Sequence, residues 1–434
     1  METNRRNFLK TIATATAGSV IAPYILPTGR LFAASGDRIA NHVVFCLFAG
    51  GVRRNESVDK ERGNLMPYSL SGTETISGNI IGGLDPIPTL STSTLQQQGT
   101  LFKNFRYQSQ HTGHFSGHTT AITGRYSDAY LDIRQAPQYP TVFEYYRKHQ
   151  TPNPSAKNCW WVANVSGSYG LNFSTHPNYG PMYGANFLQP NTIIAEGKGI
   201  GVLDNPIEFS GDNLNSIYEL RNLFNNTFRS QASIMQDAIE NEVQDQLFIQ
   251  QFIKQSIISH ASGGYGNMWD TGDYANYDTF NMYLASQVLQ TFQPELLVVN
   301  MQAVDTCHSK FTDYCNNLRK ADYALAKLWQ TIQSTPGLAN DTILIVAPEH
   351  GRNALPNSLV DSFGESAYDH SDDYSREIFC LVVGPPDKVR QNQIITQTTG
   401  ESIDIVPTIA RVLGFHTDIP AGILNGRHLQ EAFV

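Results

Sequence analysis

Carboxylate and imidazole side chains stand close together in three short stretches of this sequence. Asp305 and His308 are three residues apart, Glu349 and His350 are adjacent, and His370 lies in an acidic stretch. Carboxylate oxygens and imidazole nitrogens are the ligands that zinc and similar divalent metals accept in proteins. The three stretches together therefore predict a divalent metal site.

A fourth stretch, residues 110 to 126, holds three histidines within eight residues, His111, His114 and His118, with Ser116 and other small residues between them. One interpretation is a glycine-rich turn with incidental histidines. The other places these imidazoles against a metal ion or an anion at the start of a helix, where backbone N–H groups favour negative charge.

The elements around these stretches alternate between buried strands and amphipathic helices. Four short apolar runs are typical of buried strands in a parallel sheet, at residues 42 to 49, 296 to 300, 342 to 347 and 378 to 384. Helical periodicity covers residues 277 to 292, 313 to 333 and 403 to 413. This alternation predicts an α/β fold with a doubly wound sheet, whose ligands bind beyond the carboxyl ends of the strands.

The charge balance and the length limit the class of protein further. The 434 residues include 30 Lys and Arg against 39 Asp and Glu, a formal charge of -9, and there is no basic block. We expect no nucleic-acid partner. Residues 205 to 275 have helical spacing and predict a helical insertion, whereas residues 167 to 201 lack periodicity and predict a long surface excursion.

The first residues predict export. Arg5 and Arg6 precede a weakly apolar stretch that is too short to span a membrane, a pattern typical of a twin-arginine signal. We therefore interpret residues 1 to 35 as a signal peptide and residues 36 to 434 as one domain. The mature protein is expected in the periplasm or outside the cell, without a transmembrane segment.

The sequence has five cysteines, an odd number, and three of them lie in apolar runs. Buried free thiols explain those three best, while a bridge between Cys307 and Cys315 remains an alternative in an oxidising compartment.

Several of these stretches, taken in order, resemble the alkaline phosphatase superfamily, which includes the sulfatases. The resemblance extends to Thr123-Gly124-Arg125-Tyr126 and to the closing stretch from 404 to 414, which is similar to sulfatases. It implies a mixed α/β sheet flanked by helices and a site for one or two divalent metal ions, commonly zinc. It also implies Asp305, His308 and His370 as the ligands of the first ion.

The sequence departs from the superfamily pattern in three places. Gly50 or Gly51 stands where a second ion's Asp is expected, and Glu349-His350 replaces an Asp-His pair. The position of the hydroxyl or thiol nucleophile is occupied by His114, which carries neither oxygen nor sulfur.

Three explanations follow for the altered nucleophile. His114 binds metal together with Glu349 and His350, so that a metal-bound water attacks. Alternatively, Ser116 or a neighbouring threonine acts as the nucleophile, or the fold has become a binding protein. His114, Ser116 and His118 are therefore the candidate catalytic residues.

Charged residues beyond the first strand are candidates for further roles. Arg53 and Arg54 are expected to bind the anionic substrate, because guanidinium groups match phosphate or sulfate oxygens. Glu56 offers a replacement for the missing carboxylate.

The sequence thus predicts an exported metal-dependent hydrolase of phosphate or sulfate esters, with a small molecule or a glycan ester as substrate. The alternative is a non-catalytic relative that binds a glycan or a protein at the cell envelope.

Overall fold

A computed structural model describes residues 38–109, 111–127, 136–150, 152–163, 171–195, 241–266, 268–270 and 275–434. The strands in these ranges are β1 His42–Phe48, β2 Gly99–Arg106, β3 Cys159–Val162, β4 Asn186–Leu188, β5 Leu296–Met301, β6 Thr342–Pro348, β7 Glu377–Val383 and β8 Gln393–Glu401. They form one eight-stranded sheet of order β4-β3-β5-β1-β6-β7-β2-β8. The predicted α/β sheet is confirmed.

The direction of each strand decides which of the connecting residues lie at the same edge of the sheet. β1 is parallel to β5 and β6, and β3 is parallel to β5 and β4. β7 is antiparallel to both of its neighbours, β6 and β2. The interpretation of residues 378 to 384 as one more parallel strand was therefore wrong. Because β7 is reversed, the residues before it lie at the sheet edge where β1, β5 and β6 end.

The sheet separates two hydrophobic layers. Along β1, Val44 and Cys46 pack into one layer, whereas Val43 and Phe45 pack into the other. Strands covered on both faces need apolar residues at every position, which explains the continuous apolar runs in the sequence.

Helices flank the sheet on both faces. In the described ranges they are α1 Gly78–Ile81, α2 His114–Thr123, α3 Val142–His149, α4 Val243–Ala261, α5 Tyr277–Phe292, α6 Phe311–Ser334 and α7 Ile405–Leu413. Buried residues of α4, α5 and α6 belong to the first layer, and those of α2, α3 and α7 belong to the second. The periodic stretches of the sequence correspond to α5, α6 and α7.

Two regional predictions have different outcomes. The stretch from 171 to 195 contains the edge strand β4 and buries Leu188, Ile193 and Ile194, so its interpretation as a surface excursion was wrong. Strand pairing to β3 gives this segment a place in the sheet despite its irregular sequence. The predicted signal and residues 205 to 240 of the predicted insertion lie outside the described residues.

The five cysteines are all buried and free, so the alternative of a Cys307–Cys315 bridge is not realised in this structure. Within the described ranges, no helix combines the length and the apolar character needed to cross a bilayer.

Candidate metal centre

Four elements bring the predicted site residues to one edge of the sheet. Asp305 and His308 lie on the 3-10 turn Ala303–His308 that follows β5, and Glu349 directly follows β6. His114 is the first residue of α2, which comes after β2, and His370 precedes the reversed strand β7.

The imidazoles of His114, His308, His350 and His370 form a histidine cluster. The ring centre of His370 lies 4.3 Å from that of His350 and 4.8 Å from those of His114 and His308. Asp305 joins the cluster, because its Oδ1 lies 3.1 Å from Nε2 of His114 and 3.2 Å from Nε2 of His308. His308 and His370 converge with His114 as the third member of the group, whereas Asp305 contacts His114 and His308.

Three imidazoles of the cluster are oriented by acceptors at Nδ1. The pairs are His114 with Glu349 Oε1 at 2.6 Å, His308 with Asp369 Oδ1 at 2.7 Å and His350 with the carbonyl oxygen of Gly351 at 2.7 Å. Carboxylate and carbonyl oxygens only accept, so each Nδ1 carries the proton. Each Nε2 is thereby left as the atom that can bind a metal.

Two glycines after β1 allow this close approach. A Cβ on Gly50 would lie 2.7 Å from the backbone nitrogen of Asp305, and one on Gly51 would lie 2.4 Å from Nδ1 of His350. Both glycines also have positive φ, at 135° and 77°. Glycine stands at these positions because a side chain would collide with the centre.

The electrostatic environment keeps part of the centre neutral and part of it charged. Burial and the neighbouring imidazoles lower the pKa of His370 to about 2, so this ring is neutral and one of its nitrogens can offer a lone pair. Burial would lower the pKa of His114, but the Glu349 and Asp305 carboxylates raise it to about 10. A metal ion that binds Nε2 of His114 therefore displaces a proton.

The donor set fits a divalent metal ion. Two groups of residues place ligand atoms within 4.8 Å of one another: His114 with His308 and His370, and His114 with Glu349 and His350. The Nε2 atom of His350 is buried and makes no hydrogen bond, a state that is costly unless another partner is supplied. Imidazole-rich sites suit zinc and other late first-row metals, whereas magnesium and calcium prefer oxygen ligands.

The two other candidates on α2, Ser116 and His118, are both buried. Ser116 is buried, and its side chain contributes to the environment of the Tyr107 hydroxyl. His118 is fully buried, with Nδ1 in contact with Glu349. The geometry thus supports His114 at the centre, while catalytic roles for Ser116 and His118 stay predictions.

The arginines after β1 have protein partners. Arg53 donates to Glu56 at 2.9 Å and to the carbonyl of Ala354 at 2.9 Å, and Arg54 donates to Asp59 at 2.7 Å. Their substrate-binding roles stay predictions, because an anion would have to compete with these bonds. Glu56 is the counter-ion of Arg53 and not a carboxylate of the histidine cluster.

Sequence reasoning missed two residues of the centre. Asp369 orients His308, and the fully buried Arg352 donates from Nη2 to Asp305 Oδ1 at 2.9 Å and to the carbonyl of Gly50. Asp369 directly precedes His370, and Arg352 follows His350 by two residues. Both residues are neighbours in the sequence of predicted ligands, and this adjacency could have indicated them.

Comparison with known proteins identifies the fold. No protein-family model matches the chain, and no curated protein matches it in sequence. Wild-type alkaline phosphatase PafA superposes with a TM-score of 0.50 at 10% identity, over 91% of this chain and 99% of that one. The chain has the alkaline phosphatase fold. The fold that the sequence resemblance implies is confirmed.

Two further solved structures are similar to the chain at lower scores. A protein in the alkaline phosphatase superfamily from Vibrio parahaemolyticus has a TM-score of 0.44 and 11% identity, over 99% of this chain and 79% of that one. BT4656, solved with its substrate D-glucosamine-2-N,6-O-disulfate, has a TM-score of 0.40 and 11% identity, over 90% and 80%.

Proposed function

We propose that this chain is an exported hydrolase of phosphate or sulfate esters that depends on a divalent metal ion, zinc being the best fit. The observation that carries the proposal is the convergence of four side chains, His114, His308, His370 and Asp305. They meet at the edge of the sheet where the parallel strands end, in a chain that has the alkaline phosphatase fold. An ion held there would polarise an ester oxygen and lower the pKa of water.

The protein's own groups define the rest of the chemistry. His114 supplies no oxygen or sulfur nucleophile, and Ser116 is buried. Water is therefore the attacking group in this proposal, and no covalent intermediate with the protein forms. Asp305 holds the imidazoles of His114 and His308 at the reacting centre, and the buried Arg352 keeps Asp305 charged.

The first test is hydrolysis of an aryl phosphate and an aryl sulfate by the purified chain, with zinc and after chelation. We expect turnover of at least one ester that is abolished by the chelator and restored by zinc. His308→Ala should reduce turnover to background. The matched control is His260→Ala on α4, because His260 packs against Phe280 and belongs to neither metal-binding group.

Absence of turnover of both esters by a zinc-loaded, folded chain would contradict the hydrolase proposal. It would favour the alternative, a protein that binds a glycan or a protein partner at the cell envelope.

Export is tested separately. Replacing Arg5 and Arg6 together by lysine should leave the precursor inside the cell, because the twin-arginine pathway reads this pair. Fractionation with an antibody to the chain measures the outcome, and export of the double variant at the wild-type level would contradict a twin-arginine signal.

A further inference from the structure

Arg53, on the segment that follows β1, is a buried cation. Its side chain and backbone together are 6% exposed, and the carboxylate that pairs with it, Glu56, is fully buried. Burying a charge is costly unless the charged group is paired and hydrogen-bonded. The contacts of this guanidinium therefore indicate what it holds in place.

The guanidinium of Arg53 binds the segment that follows His350. Nε donates to the carbonyl oxygen of Asn353 at 2.9 Å, and Nη2 donates to the carbonyl oxygen of Ala354 at 2.9 Å. The backbone N–H of Arg53 donates to the hydroxyl of Tyr314 at 3.0 Å, which ties the same residue to α6. One arginine thus fixes two successive peptide groups of this segment.

The segment that Arg53 binds in turn holds the backbone around His370. The backbone N–H of Asn353 donates to the carbonyl oxygen of Asp369 at 2.8 Å, and Oδ1 of Asn353 accepts from the backbone N–H of Asp372 at 2.9 Å. The backbone N–H of Ala354 donates to Oδ2 of Asp372 at 2.8 Å. These hydrogen bonds fix the chain immediately before and shortly after His370.

The flat face of the same guanidinium makes a further contact. Its carbon Cζ lies 3.9 Å from the centre of the Tyr368 ring, a distance at which cation and ring attract each other. Tyr368 directly precedes Asp369, whose Oδ1 accepts from Nδ1 of His308. Arg53 thus contacts the chain directly before Asp369 and also the segment that is hydrogen-bonded to Asp369.

We infer that Arg53 is a positioning residue of the metal centre, which holds Asp369 and His370 in place, and that it is not a ligand of the substrate anion. Its Nε, Nη1 and Nη2 atoms each donate to a protein acceptor, and little of the side chain is exposed to an incoming ester. The inference rests on the metal binding of the proposed function and is independent of catalysis.

Arg53→Lys tests the inference. Lysine keeps a positive charge beside Glu56, but it lacks the planar fork that binds two carbonyl groups and stacks on a ring. The metal-free chain is titrated with zinc against a competing chelator dye, and the visible spectrum of the cobalt-loaded chain is recorded. We expect a zinc affinity lower by about 10-fold and an altered cobalt spectrum, because the imidazoles of His308 and His370 are less well held.

Arg147→Lys is the matched control. Arg147 on α3 is also buried, and its Nη1 also donates to a backbone carbonyl, that of Gly184, at 2.8 Å. Gly184 precedes β4, which is four strands away from β6 in the sheet. Arg147→Lys should lose stability while it keeps the zinc affinity and the cobalt spectrum of the wild type.

Kinetics at saturating zinc separate positioning from substrate binding. A residue that binds the ester in its ground state contributes to KM, so its loss raises KM. We expect Arg53→Lys to keep the wild-type KM for the aryl ester. A raised KM together with unchanged zinc affinity and an unchanged cobalt spectrum would show that Arg53 binds the substrate, and would overturn the inference.

The remaining outcomes separate this inference from the proposed function. Wild-type zinc affinity in folded Arg53→Lys would overturn the inference alone. A wild-type chain that binds no zinc would overturn it together with the metal part of the proposed function. Lowered zinc affinity in Arg53→Lys, in a chain whose zinc-loaded wild type turns over neither ester, would support the inference and contradict the hydrolase proposal.

A second variant decides the matter should Arg53→Lys fail to fold. Asn353→Ala keeps the backbone groups that Arg53 and Asp369 bind but removes the side-chain acceptor of Asp372, at a residue that is only partly buried. We expect its zinc affinity to fall as well. Wild-type affinity in folded Asn353→Ala would show that this segment does not hold His370, and would overturn the inference.

Discussion

At the scale of single residues, the centre depends on the groups behind its imidazoles. Asp369 accepts from Nδ1 of His308 at 2.7 Å, and this hydrogen bond lowers the pKa of Asp369. The charged acceptor fixes the ring and leaves Nε2 directed at Asp305. Such acceptors matter to metal affinity although they do not touch the metal.

Asp369→Asn should weaken zinc binding by about 10-fold, because the amide keeps the shape of the acceptor but not its charge. Competition with a chelator dye measures the change. Asp373→Asn is the matched control, since the Asp373 side chain is 99% exposed and contacts Arg376. Equal zinc affinity in the two variants would show that Asp369 does not hold His308 in place.

The glycine after β1 also makes a residue-scale prediction. Gly51→Ala combines a positive φ of 77° with a Cβ 2.4 Å from the His350 ring, whereas Gly364→Ala has a φ of 82° and no atom within 4 Å. The control, Gly364→Ala, should lower the free energy of unfolding by about 1 to 2 kcal/mol, because alanine is strained in the left-handed backbone conformation. Gly51→Ala should lower the free energy of unfolding by more than this and should also weaken zinc binding.

Denaturant unfolding of the metal-free variants separates the two contributions. If Gly51→Ala and Gly364→Ala lose the same free energy of unfolding, the contact between Gly51 and His350 is not tight in solution.

At the scale of elements, buried carboxylates join the loops to the helices. Asp278 on α5 accepts from the backbone of Gln302 at 2.7 Å and of Ala303 at 2.9 Å, which fixes the start of the turn that carries Asp305. Asp322 on α6 accepts from Tyr68 and Ser69 at 2.8 Å each. Helix and loop are thus held together by single side chains.

The contribution of Asp322 to the free energy of unfolding should depend on pH. Burial, only partly offset by the hydrogen bonds from Ser69 and Tyr68, raises the pKa of Asp322 to about 7, from 3.8. The folded chain then holds this proton between pH 4 and 7, where the unfolded chain releases it. Stability from Asp322 is therefore full below about pH 4 and is lost as the pH rises through 7.

Asp322→Asn removes this titration, so the wild type should lose stability relative to the variant by up to about 1.4 kcal/mol per pH unit across this range. Urea unfolding at pH 4.5, 5.5, 6.5 and 7.5 measures the difference. Parallel pH profiles for the two proteins would contradict a raised pKa.

At the scale of the whole molecule, the two hydrophobic layers enclose every thiol. Cys307 and Cys315 lie in the first layer, and Cys159 and Cys380 lie in the second. Burial raises the pKa of all five thiols, as it does for Cys46 on β1. Thiols of this kind are poor nucleophiles.

We expect no thiol to react with a disulfide reagent such as Ellman's in the native chain, and five to react in guanidinium chloride. Three reactive thiols after unfolding without reductant would instead indicate a disulfide.

The sequence by itself determined four of the eight strands, three of the flanking helices and the candidate metal-binding side chains. Continuous apolar runs and helical periodicity are local properties, so β1, β5, β6, α5 and α6 could be predicted without knowing their neighbours. The types of residue at the strand ends, Asp305, His308, Glu349 and His350, likewise indicated a metal site before any geometry was known.

Tertiary structure alone decided how these residues combine. The reversal of β7 brings His370 to the edge where β5 and β6 end, and strand direction depends on non-local pairing that no local pattern specifies. The hydrogen bonds to Oε1 of Glu349 come from Gly50 and His114, 299 and 235 residues away along the chain. Whether a carboxylate binds a metal or orients an imidazole depends on such neighbours, because its free lone pairs are those that the fold leaves unused.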